Sequence, residues 1–240
     1  ADDETMRVMK DEQRANAESA EAMRVVMEIH AQIHFTHAYA TDGSKQLAVA
    51  GTPTGYGIYK AVNMLEWEDG DTEETLIQVS DGRREEAWAT AFEGGRLPGT
   101  WEIVDAEMYA IYRALLRVRA ECVSRGDAPG GTRVLVMTDC QSAIQQVEQA
   151  WREGGARPRQ SRERAAMLEA ICRVRAQLGV CVVCYIPAHV GCSPNEYADM
   201  AAKAATRLGE VEDAAHWVGR EVEAKPVVIE RVEGDEGVLA

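Results

Sequence analysis

Arg133-Val-Leu-Val-Met-Thr-Asp139 is the stretch from which the fold can be read. Apolar side chains occupy both alternating faces of residues 133–138, so a strand here is buried on both sides and needs helices above and below it. Asp139 follows the apolar run, at the kind of strand end where open α/β sheets place their ligands. Upstream, beyond a break at residues 126–131, residues 104–123 carry Met108, Ile111, Tyr112, Leu115, Val118 and Cys122 on one helical stripe. Downstream, a helix is expected through Trp151, another over 161–178, a strand over 180–186 and a last helix over 193–208. Ser193 as cap, Pro194 in the first turn and Glu196 three residues on form the start signal of that last helix.

Toward the N-terminus, residues 1–33 are rich in Ala, Met, Glu and Arg without Gly or Pro and predict a helix, with Met23, Val26, Met27 and Ile33 at helical spacing. From Phe35 the pattern alternates. Thr36, Ala38, Ala40 and Asp42 fall on one face of a strand and Phe35, His37, Tyr39 and Thr41 on the other. Asp42 is expected to end that strand, with Gly43-Ser44 turning the chain. Further strands fit residues 56–62 and 86–92, separated by an acidic segment at 66–74 that reads as a solvated loop. The order is three strands, helix, strand, helices, strand, helix: an α/β fold built on a mixed five-stranded sheet flanked by helices. The expected organisation is an appended helical arm over 1–34, a catalytic domain over 35–208 and an acidic tail over 209–240.

A chain of 240 residues can bury one full core. No apolar run approaches the roughly 18 residues that would span a bilayer, and no signal segment is seen at the start, where Asp2, Asp3 and Glu4 stand. The six cysteines lack the spacing of a disulfide scaffold, so a reducing intracellular compartment is expected. A net charge of −14 at first opposes a polyanionic partner, since phosphate binding depends on Lys and Arg. The excess lies largely at the two ends: residues 1–35 carry −4 and residues 209–240 carry −6. These acidic ends are candidate docking segments for a protein partner or a larger assembly.

Asp42 and Asp139 are drawn together by strand-end logic. Glu107, one turn before Ile111, would lean over the sheet from the flank of its helix, and Asp199 lies in the second turn of the last helix. Carboxylates are hard oxygen ligands suited to Mg²⁺, which retains water and takes phosphate oxygens as further ligands. Four converging acids without a cation would repel one another, and some would stay protonated.

Four segments carry a resemblance: Thr41-Asp42-Gly43-Ser44; Ala106-Glu107-Met108-Tyr109-Ala110-Ile111; Thr138-Asp139-Cys140-Gln141-Ser142-Ala143; and His189-Val-Gly191-Cys-Ser-Pro-Asn195-Glu196-Tyr-Ala198-Asp199. They resemble, in order, the four signatures of type 1 ribonuclease H, in wording nearest to domains borne by retrotransposons, and the match spans residues 35–208. The resemblance implies a ribonuclease H-like fold that cuts the RNA strand of RNA/DNA hybrids with two Mg²⁺ ions, for which Mn²⁺ substitutes, leaving 5′-phosphate and 3′-hydroxyl ends. It implies that Asp42 bridges both ions, that Asp199 completes the ion activating water, and that Glu107 and Asp139 hold the ion at the leaving oxygen. His189 would assist proton movement or product release. Gly43, Ser44 and Gln141 would touch the hybrid, whose selection would come from minor-groove shape and ribose 2′-hydroxyls. Two departures stand out: Ile103, Val104 and Asp105 replace the polar residues that precede the helix glutamate in cellular members, and Cys140 stands where serine usually follows the second aspartate.

Two further groups need weighing. Cys181, Cys184, His189 and Cys192 mimic a zinc site, yet residues 181 and 184 of a strand point to opposite faces, which favours structural thiols. Arg152, Arg157, Arg159, Arg162 and Arg164, near Trp151, form the densest basic cluster. They read equally as a nucleic-acid grip, with Arg157 and Arg159 the foremost contacts, or as solvated surface. Two rival functions remain beside the hydrolase. One is a ribonuclease H fold serving as a structural or interaction module in a larger ribonucleoprotein or retroelement assembly. The other is an integrase or junction resolvase of the same superfamily.

Overall fold

In a computed structural model, which describes residues 3–47, 50–61, 91–155, 160–188 and 193–211, ten main elements follow one another. They are α1 (Asp3–Ile33), β1 (His37–Lys45), β2 (Thr54–Lys60), β3 (Phe92–Leu97), α2 (Ile103–Arg125), β4 (Arg133–Thr138), α3 (Gln141–Glu153), α4 (Arg162–Arg175), β5 (Val180–Tyr185) and α5 (Ser193–Ala205). The sheet order is β3-β2-β1-β4-β5. β1 to β3 run as an antiparallel meander, while β4 and β5 lie parallel to β1. This is the mixed five-stranded α/β sheet that the alternation and the apolar 133–138 run predict.

Each face of the sheet has its own core. On one, Tyr39, Tyr56, Ile58, Val134 and Val136 pack with Met108, Ile111 and Leu115 of α2 and with Leu168 and Ile171 of α4. On the other, Ala38, Ala40, Leu135 and Met137 pack with Ala198 and Ala201 of α5 and with Val26 of α1. Helix α2 is buried on nearly every side from Ala106 to Leu116, because the sheet covers one flank and α4 the other. It starts at Glu102, whose N–H donates to the Asp105 carboxylate at 3.2 Å, and stops at Gly126 in a left-handed conformation (φ 73°). The Ser161 hydroxyl caps α4 by accepting from the Arg164 N–H. Among the described residues no helix is long and apolar enough to cross a membrane.

Several boundaries differ from the sequence reading, for physical reasons. Gly43-Ser44 makes no turn: both lie inside β1, paired with Tyr56 and Gly55, and Asp42 is therefore within the strand. Glycine at 43 answers to a helix packed against the strand. A Cβ there would meet the Glu107 nitrogen at 2.9 Å and the Ala106 Cβ at 3.0 Å. β2 ends at Lys60, two residues before the expected limit. The third strand begins at Phe92, where it was expected to end, and its Gly94-Gly95 pair is taken into the ladder opposite Gly57 and Tyr56. Phe35 precedes β1 and packs with Val26, Ala38 and Ala40, on the face opposite the one its parity predicts. Residues 62–90, which contain the acidic segment and most of the expected third strand, lie outside the described residues.

Candidate metal centre

Thr41 and Thr138 form the last parallel pair between β1 and β4. The next residue on each strand is an aspartate, and the ladder that joins the strands delivers Asp42 and Asp139 side by side. Glu107 arrives from above, in the first turns of α2. Carboxylate oxygens of Asp42, Glu107 and Asp139 all lie within 4.8 Å of one another. Asp42 is 6% exposed and Glu107 4% exposed. The helix stripe leaves Glu107 free to be a surface residue, but the packing of α2 buries it.

Neighbours fix these carboxylates. The Thr138 hydroxyl, itself an acceptor for the Cys140 N–H at 3.2 Å, donates to Glu107 Oε2 at 3.4 Å. Asn195, buried on α5, donates from Nδ2 to Asp139 Oδ2 at 3.1 Å. Asp199, half-buried on the same helix, accepts from Lys203 Nζ at 2.5 Å, and its charge adds to those that raise the Asp42 carboxyl. Sequence reading gave Asn195 and Thr138 no role of their own, although both stand inside the quoted motifs. Lys203 was also passed over, although its i,i+4 spacing from Asp199 on a helix is the signal that finds such pairs.

Electrostatically the cluster is unbalanced. Burial, and then the charge of Asp139, push the Asp42 carboxyl up to about 8. Burial followed by Asp42 and Asp139 hold Glu107 well above the usual carboxylate range. Among the described residues no lysine or arginine is ion-paired with Asp42, Glu107 or Asp139; Lys203, ion-paired with Asp199, feels the Asp42 charge only from a distance. A divalent cation held by oxygen ligands fits this donor set, since it supplies the charge that the protein omits.

Around the cluster, Gly43 is buried beneath α2, Ser44 is half-buried and Gln141 is exposed at the first position of α3. Ile103, just ahead of Glu107, is 51% exposed. Asp105 is engaged internally: Arg164 of α4 donates to it and to Glu102, at 2.7 Å each. Trp151 lies under the Arg175 guanidinium, 4.6 Å from its ring centre. His189, Arg157 and Arg159 lie outside the described residues. Cys181 belongs to the α2 side of the sheet and Cys184 packs on the other, the opposed facing that strand alternation predicts. Five cysteines, at 122, 140, 172, 181 and 184, are free thiols.

No protein-family model and no curated protein matches the sequence. Solved structures do resemble the fold. A foamy viral protease-reverse transcriptase in complex with an RNA/DNA hybrid aligns at a TM-score of 0.51 and 15% identity, over 73% of this chain and 20% of that one. LC11-RNase H1 in complex with an RNA/DNA hybrid aligns at 0.46 and 16% identity, over 71% of this chain and 96% of that one. RNase H1 of the halophilic archaeon Halobacterium salinarum NRC-1 aligns at 0.41 and 15% identity, over 70% and 96%. With its β3-β2-β1-β4-β5 order, antiparallel on one side of β1 and parallel on the other, the chain has the ribonuclease H-like fold.

Proposed function

We propose that the protein is a divalent-metal-dependent endoribonuclease that hydrolyses the RNA strand of RNA/DNA hybrids, leaving 5′-phosphate and 3′-hydroxyl ends. The observation that carries this reading is the close cluster of buried Asp42 and Glu107 with half-buried Asp139, none of which is ion-paired with a lysine or arginine among the described residues. A purely structural role would be served better by neutral side chains, because buried acids without partners cost stability. Asp42, Glu107, Asp139 and Asp199 would hold Mg²⁺ or Mn²⁺ in a two-ion arrangement. Bound there, the metal supplies Lewis-acid polarisation of a phosphate oxygen and lowers the pKa of attacking water.

The chain's own residues prepare that chemistry. Thr138 and Asn195 orient Glu107 and Asp139, and burial keeps competing water away from Asp42 and Glu107. Ser44, Gln141 and the backbone at Gly43 would meet the ribose side of a hybrid. Arg157 and Arg159 would grip a phosphate backbone, and His189 would move a proton or help release product. The exposed Ile103 and the internally paired Asp105 leave fewer polar contacts ahead of Glu107 than cellular relatives offer, so hybrid affinity should be modest.

Incubation with Mg²⁺ and a labelled RNA/DNA hybrid, beside duplex RNA and duplex DNA, tests the reading. Selective cleavage of the hybrid's RNA, lost in Asp139→Asn, is expected. No cleavage by the unmutated protein, or equal cleavage by both proteins, would refute it.

A further inference from the structure

The carboxylates Glu107 and Asp199 sit on helices that press on opposite faces of the sheet, and each helix packs closely over a glycine beside Asp42. Gly43 follows Asp42 along β1, on the α2 face. Gly57 is the ladder partner of Asp42 on β2, on the α5 face. A Cβ at Gly43 would lie 2.9 Å from the backbone nitrogen of Glu107 itself. A Cβ at Gly57 would lie 2.2 Å from the Ala202 nitrogen and 2.3 Å from the carbonyl oxygen of Ala198, the residue before Asp199. Both obstacles are backbone atoms, so no rotamer change relieves them. A side chain at either glycine must push back the turn of helix that carries the acid.

We infer that Gly43 and Gly57 are positioning residues for the metal centre, two notches flanking Asp42 that set how far Glu107 and Asp199 reach toward it from the two faces. This rests on the nuclease reading and adds a division of labour: Gly43 acts through Glu107, and Gly57 acts through Asp199. Sites of this kind tolerate only about 0.5 Å of ligand displacement; the 2.2 Å clash at Gly57 demands more than that, and the 2.9 Å clash at Gly43 takes up much of it. Gly55 provides an internal contrast. It also packs on α5, where a Cβ would meet Ala202 O at 2.8 Å and Thr206 N at 2.9 Å, but one turn farther from Asp199.

The test is a set of double-mutant cycles in the full chain, read by Mn²⁺ binding to the metal-free protein in electron paramagnetic resonance and by hybrid cleavage, with folding checked by near-UV circular dichroism. Gly57→Ala should weaken Mn²⁺ binding roughly tenfold, the scale of lost support around a metal ligand. It should add nothing further in an Asp199→Asn background and keep its effect in Glu107→Gln. Gly43→Ala should behave in the opposite way, silent with Glu107→Gln and additive with Asp199→Asn. Gly55→Ala should lower stability with a smaller loss of Mn²⁺ affinity. Additivity of Gly57→Ala with Asp199→Asn, or equal losses from Gly55→Ala and Gly57→Ala, would overturn the inference. If Gly57→Ala does not fold, the milder Gly43→Ala cycle with Glu107→Gln decides. An unmutated protein that binds no Mn²⁺ refutes the nuclease reading itself, an outcome distinct from additive cycles in a protein that does bind.

Discussion

Helix α2 carries a glutamate near each end, Glu107 buried and Glu121 half-buried. Glu107 and Glu121 are about 21 Å apart at 1.5 Å per residue, and the chain treats them in opposite ways. Glu121 accepts from the Tyr39 hydroxyl at 2.8 Å, from Lys60 Nζ at 2.7 Å and from Arg117 Nε at 3.3 Å, with His37 Nε2 at 3.8 Å. Burial pushes its carboxyl up, but Lys60, Tyr39 and Arg117 outweigh that and hold it below the usual range. Glu93, on the edge strand β3, is likewise sealed against the buried Arg113. Glu107 accepts from the neutral Thr138 hydroxyl, and the charges that act on it are those of acids and a thiol. Among the described residues, then, Glu121 and Glu93 are held in direct ion pairs, whereas none is formed where Asp42, Glu107 and Asp139 converge. The compensated end is a structural tie, and on the proposed function the uncompensated end would take its positive charge from outside the chain.

Removing ligands should separate the two ends most strongly. Asp42→Asn or Asp139→Asn should lower Mg²⁺-dependent cleavage by at least about a thousandfold, the several kcal/mol that a bound metal contributes to a transition state. Glu121→Gln should leave the rate per folded molecule unchanged. Stability should reverse the ranking. Glu121→Ala strands Lys60, Arg117 and Tyr39 and should cost roughly 2–4 kcal/mol in urea unfolding.

Asp42→Asn should act with the opposite sign. Because burial and Asp139 raise the folded Asp42 carboxyl from 3.8 to about 8, the metal-free protein is most stable below the unfolded value. It should then lose stability as pH rises from about 4 to about 8. At pH 8 Asp42→Asn should therefore gain roughly 1–4 kcal/mol without metal, and excess Mg²⁺ should offset the slope in the unmutated protein, since ligation needs the ionised form. A metal-free stability that rises over that range would show that the cluster is compensated after all. The smallest effect is expected at the α2 start. Arg164→Ala loses ion pairs to the half-buried Asp105 and the exposed Glu102, and should cost roughly 0.5–1.5 kcal/mol by thermal unfolding.

Much of the site could be read before any coordinates, because it is coded locally. Asp139 follows an apolar run, and a parallel ladder ending at Thr41 and Thr138 brings Asp42 beside it. What the sequence could not show depends on contacts between distant segments. Gly43 reads as a turn because glycine punctuates turns, whereas the reason for it lies 64 residues away, at Glu107. The helical stripe of α2 predicts one buried flank and cannot foresee that α4 covers another, so the burial of Glu107 and Arg113 was not legible. Nor was the Glu121 cluster, whose members come from β1, β2 and α2 and share no motif. The Gly94-Gly95 pair hid the true extent of β3, since only the ladder to Gly57 and Tyr56 makes it a strand.

Mn²⁺ binding to metal-free protein, followed by electron paramagnetic resonance, tests the central claim most directly. The unmutated protein and Glu121→Gln should bind Mn²⁺ alike, while Asp139→Asn and Asp42→Asn should lose it. Absence of bound Mn²⁺ in the unmutated protein, or equal binding by Asp139→Asn, would contradict the claim that the buried acids await a cation.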